Sequence, residues 1–286
     1  ENFDVIHAHY WLSGLIGKQI ANKFKKPLVY TSHSLGIFLD GYNKERVDCE
    51  KIIMTSSDAV TTSSKFEEDM IKKNYKIDST KIKHITPGVD TEIFTPDSTI
   101  KRENIILSIG RIQEQKGQIH TIKFLDNLRK VEKNFLCYFI GGPSGKFGIE
   151  YLEELKKIVI DLNLESHVEF LDNLPQTKIR DLLNKSKLLI HTSKFETFGL
   201  VAAEANAMGV PVLTTNNGSL LEIVESDKNG YYSENLIDGN VNNFVKELFN
   251  NNEKFNEIKS NCFKKSKPYS WANTATKIEN LYKTFN

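Results

Sequence analysis

Apolar residues fall in short runs of strand length that alternate, almost from one end of the chain to the other, with segments whose apolar positions repeat at helical spacing. That alternation predicts βαβ units with a mostly parallel sheet, and so an α/β class. Early strands are expected at Asp4 to His7, Pro27 to Thr31, Ala59 to Thr62 and Ile82 to Thr86, and between the first two Leu12, Leu15, Ile16 and Ile20 form an apolar helical stripe. The stretch Asp90 to Arg102 carries Pro96, several polar residues and no periodicity, and reads as a linker. A second series of strands follows at Asn104 to Ile109, Phe135 to Gly141, His167 to Leu171, Lys187 to His191, Val210 to Thr214 and Gly230 to Tyr232. Among its helices, Leu152, Leu155, Ile158, Val159 and Leu162 show the helical period clearly. Trp271, Ala275, Ile278, Leu281 and Phe285 form the apolar face of a closing helix, which must dock on something. The expected division is residues 1–97, residues 98–268, and a helix over 269–286 that packs back on the first domain.

Composition narrows this picture. The 286 residues are 39% hydrophobic and 26% charged, the mix of an ordinary globular protein. Lys plus Arg number 38 against 37 Asp plus Glu, so the net charge of +1 gives no general reason to expect nucleic acid as a partner, and any anion site must be local. Cys49, Cys137 and Cys262 lie far apart, which excludes a CxxC pair and fits a reduced, cytoplasmic setting. No apolar run reaches the roughly 18 to 20 residues of a membrane helix. Peripheral membrane contact stays open.

The densest constellation of chemistry-bearing residues runs from Phe195 through Glu196, Phe198, Gly199 and Leu200 to Glu204, after the strand that ends at His191. Ala202 to Met208 is rich in helix formers and stops at Gly209, which places Gly199 and Leu200 at a helix N-terminus, a ready anion site. Glu196 is expected in the loop ahead of that helix and Glu204 one turn inside it. Among small apolar neighbours an unpaired Glu204 carboxylate is expensive, which argues for function over a surface role.

Glu196 and Glu204, with seven residues between them, resemble the EX7E motif of retaining GT-B glycosyltransferases of family GT4. The resemblance extends over almost the whole chain, through His7-Ala8-His9-Tyr10-Trp11-Leu12-Ser13-Gly14, Thr31-Ser32-His33-Ser34-Leu35-Gly36, Pro87-Gly88-Val89-Asp90, Gly110-Arg111 to Lys116-Gly117, and Gly141-Gly142-Pro143-Ser144-Gly145. It is nearest to the sucrose-phosphate synthase and MshA-like branch. The resemblance implies a GT-B architecture of two Rossmann-like, doubly wound parallel-sheet domains. It also implies transfer of a sugar from a nucleotide-diphosphate sugar to a hydroxyl acceptor with retention. By branch the donor is a UDP-sugar, with GDP- and ADP-sugars open. Arg111 and Lys116 would hold the donor diphosphate, Glu204 the ribose hydroxyls and Glu196 hydroxyls of the transferred sugar, with the backbone of Phe198, Gly199 and Leu200 close to sugar and phosphate. His33 would lie beside the transferred sugar near the reacting carbon, so that His33 and Glu196 are the catalytic candidates. A donor phosphate oxygen can itself serve as the base.

Two cations after a strand can neutralise a diphosphate leaving group. The chain holds no Asp-x-Asp pair of the kind that metal-dependent transferases use, so no metal and no cofactor are expected. Gly142 lies in a glycine-rich turn that lacks Walker A spacing, yet it can let a nucleotide approach the backbone. His7 and His9 alternate on one strand face. No third ligand supports a metal pair there, and His7 is taken as structural and His9 as an acceptor-side residue. Arg46 and Glu50 are four apart on an expected helix over Glu45 to Met54, either a surface ion pair or an acceptor-side element. The Lys264, Lys265, Lys267 cluster reads as a solvated helix face.

Two departures from the family pattern bear on the acceptor. Ile37-Phe38-Leu39-Asp40 stands where sucrose-phosphate synthases carry a basic residue, so fructose 6-phosphate is not supported, and a neutral or amino-bearing polyol, sugar or cyclitol fits better, with Asp40 and Tyr42 lining that side. The chain also enters the first domain part-way, beginning Glu1-Asn2-Phe3, and only 97 residues precede Ser98 where about 150 are typical of such a domain. The first domain is therefore expected to be N-terminally incomplete, and a catalytically silent nucleotide-sugar-binding module is the alternative to an active enzyme. A phosphorylase-like enzyme finds no lysine in a pyridoxal-type context.

Overall fold

The computed structural model describes residues 3–38 and 43–285. The chain divides into two compact units, Glu1–Gly88 together with Tyr269–Asn286, and Val89–Pro268. Leu39, Asp40 and Tyr42, expected beside the acceptor, lie outside the described residues.

In the first unit, strands β1 (Ile6–His9), β2 (Leu28–Thr31), β3 (Ala59–Thr62) and β4 (Ile82–His84) form a sheet in that order, every pair parallel. Helices α1 (Trp11–Phe24), α2 (Lys44–Ser56) and α3 (Lys65–Met70) connect them, as parallel pairing requires. β1 starts and ends two residues later than its apolar run indicates, and this carries both His7 and His9 on the strand.

α1 turns its apolar stripe outward. Leu12, Ile16 and Ile20 are exposed, whereas Gly14, Gly17 and Ala21 face the sheet. A Cβ at Gly14 would strike Ile53 and Tyr30, and one at Gly17 would strike Ala8. The helix therefore lies close on the sheet through its smallest residues; of the stripe only Leu15 packs partly against that core, with Trp11, while Leu12, Ile16 and Ile20 stay outside.

In the second unit, β5 (Ile105–Ile109), β6 (Leu136–Ile140), β7 (Val168–Leu171), β8 (Leu188–His191), β9 (Val212–Thr215) and β10 (Gly230–Ser233) form one parallel sheet in the order β10-β9-β8-β5-β6-β7. Helices α4 (Gln118–Leu128), α5 (Gly148–Asp161), α6 (Gln176–Lys185), α7 (Leu200–Ala207), α8 (Leu220–Ile223), α9 (Gly239–Asn250) and α10 (Asn252–Ser266) accompany it. The strand order reverses between β5 and β8, the switch point at which open parallel sheets bind ligands. The core joins Ile106, Phe124, Phe139, Leu155, Leu213 and Phe244.

The stretch read as a linker is folded into this second unit. Phe94 is buried, the Asp97 amide donates to Asn184 Oδ1 at 2.9 Å, and the Arg102 guanidinium donates to the carbonyls of Leu183, Ser186 and Met208. The division consequently falls after Gly88, ahead of the expected Ser98.

The last helix, α11 (Trp271–Lys283), belongs to the first unit, where Leu281 packs with Val29 and Ala59, and Tyr282 and Phe285 pack beside them. The Thr274 hydroxyl adds a bond to the Thr86 carbonyl at 2.8 Å. Its buried face is rotated from the one the apolar spacing marks, leaving Trp271 and Ala275 exposed, because Thr274 and Tyr282 find hydrogen-bonding partners on the sheet side.

Candidate active site

In the second unit, the switch point gathers the ends of β5 and β8. β8 delivers His191, Thr192 and Ser193, all buried, and then releases the chain into the loop that carries Glu196. That loop is tied from below, since the hydroxyl and amide of Ser219 donate to the Glu196 carbonyl at 2.9 and 3.4 Å. On the other side, Glu114–Lys116 makes a single 3-10 turn after β5, closed by Gly117 in the left-handed region at φ 67°. The Thr192 hydroxyl donates to the Gly117 carbonyl at 2.9 Å and the Lys194 amide to the Gln115 carbonyl at 2.8 Å, which lock turn and loop together.

This frame brings Lys116 and Glu196 into direct contact. The Lys116 ammonium lies 2.8 Å from Glu196 Oε2, and His191 Nε2 lies 3.0 Å from the same oxygen. Ser193 Oγ sits 3.1 Å from that nitrogen. Burial pushes the Glu196 carboxyl up, but the hydrogen bond and charge of His191 and the charge of Lys116 outweigh it and hold the group down to about 2. Glu196 is an anion at any physiological pH.

Past Glu196, Phe198 is buried and Gly199 caps α7 at φ 96°. Leu200 opens the helix and Glu204 sits one turn further in. Among the described residues no side chain hydrogen-bonds or ion-pairs with the Glu204 carboxyl, and burial pushes it up to about 7. Two carboxylates eight positions apart therefore differ sharply. Glu196 is charged and gripped, whereas Glu204 is half-neutral and unpartnered. A half-buried carboxyl without a partner is costly, and its cost is relieved by a ligand that supplies hydroxyl donors.

Arg111 follows β5 with its side chain exposed, and its carbonyl accepts from Gln118 Nε2 at 2.9 Å. The structure does not bring its guanidinium into the Lys116–Glu196 cluster. Gly142 is less available than its sequence context indicates, because its amide already donates to Asn173 Oδ1 at 2.9 Å and a Cβ there would press on the same amide group.

The first unit carries a second cluster. His9 Nδ1 and His33 Nε2 are 2.8 Å apart with their rings stacked, and His7 also stacks on His9 with centroids 4.2 Å apart. His33 follows β2 in the left-handed region at φ 58°. Both ring nitrogens of His7 are engaged, Nδ1 with the Tyr282 hydroxyl at 2.6 Å and Nε2 with Thr31 Oγ1 at 2.8 Å. Burial, then repulsion from the other two imidazoles, lowers His7 to about 4; burial and His33 lower His9, and burial lowers His33. Three neutral imidazoles at pH 7 form a hydrogen-bonding column in place of a cationic patch.

Arg46 and Glu50 are buried, so the reading as a surface ion pair does not hold. Arg46 Nε donates to Glu50 Oε1 at 2.7 Å, its Nη2 to Ser34 Oγ at 2.8 Å and its Nη1 to the Tyr10 hydroxyl at 3.3 Å, while Glu50 also accepts the Gly36 amide and the Tyr75 hydroxyl. The helical i, i+4 spacing looks the same on a solvated and on a buried face, and only the loop Ser34–Gly36 folding over α2 distinguishes them. Sequence reasoning also passed over His191, Ser193 and Tyr282. For His191 the available signal was its place at the end of a buried strand, five residues before Glu196.

Residues 90–265 match the family model described as glycosyl transferases group 1, and residues 1–93 match that of Glycosyltransferase Family 4. The chain belongs to the glycosyl transferases group 1. Relatives within reach include the D-inositol 3-phosphate glycosyltransferase of Corynebacterium efficiens, 27% identical over 307 residues that span 98% of this chain and 71% of the relative. The enzyme of the same name from Acidothermus cellulolyticus is 30% identical over 258 residues, 83% of this chain and 56% of the relative. Among solved structures, sucrose-phosphate synthase of Thermosynechococcus elongatus superposes at a TM-score of 0.87 with 23% identity, covering 99% of this chain and 73% of that one. HepE of Anabaena in complex with UDP and glucose gives 0.86 with 21% identity, covering 99% and 78%. This group 1 glycosyltransferase accordingly has the GT-B fold, with two parallel-sheet α/β units. Among its described residues no helix is long and apolar enough to cross a membrane.

Proposed function

We propose that this group 1 glycosyltransferase moves a hexosyl group from a UDP-sugar to a hydroxyl of a small cyclitol, with retention and without a metal ion. The observation that carries the reading is the pairing of a gripped, ionised Glu196 with an unpartnered, half-neutral Glu204 on one loop and helix of the second unit. Glu204 offers its carboxyl to the ribose hydroxyls, and Glu196 offers Oε1 to hydroxyls of the sugar. Lys116 and Arg111 take the diphosphate, whose charge two cations can neutralise as a metal would. Gly199 and the first amides of α7 lie where backbone N–H groups favour phosphate or sugar oxygens. His33, neutral and hydrogen-bonded to His9, is suited to accept from or donate to a hydroxyl near the reacting carbon, while a donor phosphate oxygen takes the acceptor proton. The UDP and glucose bound in the HepE structure support a UDP-sugar donor.

For the acceptor, the relatives' name indicates an inositol phosphate. That name favours a phosphate-bearing cyclitol over the neutral polyol to which the sequence points; Arg46 is not the group that would hold the phosphate, because it is buried and its guanidinium is engaged by Glu50, Ser34 and Tyr10.

Calorimetry in chelator-treated buffer with UDP-, GDP- and ADP-glucose, on the native protein and on Glu204→Ala, tests the donor site. UDP-glucose is expected to bind the native protein and to bind Glu204→Ala at least tenfold more weakly. Equal binding by the two sinks the assignment. Incubation with UDP-glucose and either inositol or inositol phosphate, followed by NMR of the product's anomeric coupling, separates transfer from silent binding and retention from inversion.

A further inference from the structure

We propose that His191 is a positioning residue for Glu196, keeping that carboxylate aimed at the donor sugar once Lys116 has been given up to the diphosphate. The inference rests on the donor reading above and adds to it a residue with a separate task. Three observations carry it.

Lys116 and His191 converge on one oxygen of Glu196, Oε2, at 2.8 and 3.0 Å, and among the described residues Oε1 accepts no hydrogen bond. Oε1 is the oxygen left to accept from a sugar hydroxyl. The two partners also differ in how firmly they are held. His191 is buried at the end of β8, a strand paired on both sides by β5 and β9; its carbonyl accepts from Thr214 Oγ1 at 2.8 Å, and Ser193 Oγ lies beside its Nε2. Lys116 ends a single 3-10 turn, and its side chain remains about one-fifth exposed on a flexible four-carbon stem.

The Lys116 ammonium has three N–H donors, but a diphosphate carries more charge than Glu196, competes for the same cation and draws it away from Oε2. When it moves, a half-buried carboxylate that had only this partner would be left unpaired, at a cost. His191 removes that cost. Its Nε2–H donates to Oε2 throughout, so Glu196 stays ionised and stays in place while the cation changes partners. In the unliganded protein the Lys116–Glu196 pair is thus a resting contact, exchanged on donor binding for a Lys116–phosphate and a Glu196–hydroxyl contact.

The test exploits the fact that UDP carries the diphosphate but no sugar. Binding of UDP and of UDP-glucose is measured by calorimetry for the native protein, His191→Phe, which keeps a ring but no donor, and His191→Gln, which restores an N–H. The native protein is expected to favour UDP-glucose over UDP by tenfold or more, the scale of one charge-assisted hydrogen bond. His191→Phe is expected to lose that margin while binding UDP within about twofold of native, and His191→Gln to regain most of it. Glu196→Gln should also abolish the margin, and adding His191→Phe to it should change nothing further. A His191→Phe protein that loses UDP and UDP-glucose in equal measure, or that keeps the native margin, overturns the proposal. A native protein that binds no UDP at all brings down the donor reading itself, and with it this inference. Should His191→Phe fail to fold, His191→Asn, whose amide is too short to reach Glu196, takes its place with the same expected outcome.

Discussion

At the scale of single residues, burial and pairing set the behaviour of the titratable groups. Glu204 is held up at about 7 by burial, above the roughly 4.3 of an exposed glutamate, so the fold favours its neutral form. Its contribution to stability is therefore complete below about pH 4 and is lost as pH rises through 7. Urea unfolding of the unliganded protein should show this loss as a falling trend between pH 5 and 8, of up to about 3 kcal/mol. Glu204→Gln should flatten the trend, and an unchanged slope would place its cause elsewhere. The Arg46–Glu50 pair makes a different demand. Glu50→Ala leaves a guanidinium buried among Ser34 and Tyr10 without its anion, a loss of about 3 to 5 kcal/mol. The double replacement Arg46→Met with Glu50→Leu should cost less than Glu50→Ala alone, because it leaves no charge behind. Thermal unfolding of the three proteins measures the order.

At the scale of elements, the strands were legible in the sequence because apolar, β-branched runs in a parallel sheet are nearly continuous, and each of the ten begins and ends within two residues of its run. The faces of α1 and α11 were not. Apolar spacing shows that a helix has a stripe, but Gly14 and Gly17 decide which side of α1 reaches the sheet, and the partners of Thr274 and Tyr282 decide it for α11. The loop and helix carrying Glu196 and Glu204 were legible as a motif. The partners that separate their behaviour were not, since Lys116 lies 80 positions away and His191 gives no periodic signal. The turn that delivers Lys116 supplies its own test. Gly117 has φ 67°, and a Cβ there would collide with the Thr192 carbonyl. Gly117→Ala should displace the turn and weaken UDP binding by tenfold or more, whereas Gly145→Ala, equally left-handed at φ 81° but with open space around it, should cost only the backbone strain of about 1 kcal/mol.

At the scale of the molecule, each unit holds a core of its own. Ile106, Phe124, Phe139, Leu155 and Leu213 belong to one, and Tyr30, Ile53, Met54, Val60 and Tyr75 to the other. The first unit is closed by a helix from the far end of the chain, so its stability depends on α11 reaching Val29 and Ala59, a long-range contact that costs chain entropy. The second unit is continuous in sequence and has the larger core. Two cores of unequal standing should melt as two components in a calorimetric scan, and the residues assigned to the donor's diphosphate and ribose lie on the second alone. Saturating UDP binds the native second unit and not its unfolded form, so at about one hundred times the dissociation constant it stabilises that component by about 2.7 kcal/mol and leaves the other where it was. Leu281→Ala should do the converse, lowering the component that contains α11 by about 2 to 5 kcal/mol while the UDP response of the second persists. A single transition, moved as a whole by either change, would mean that the two cores unfold as one.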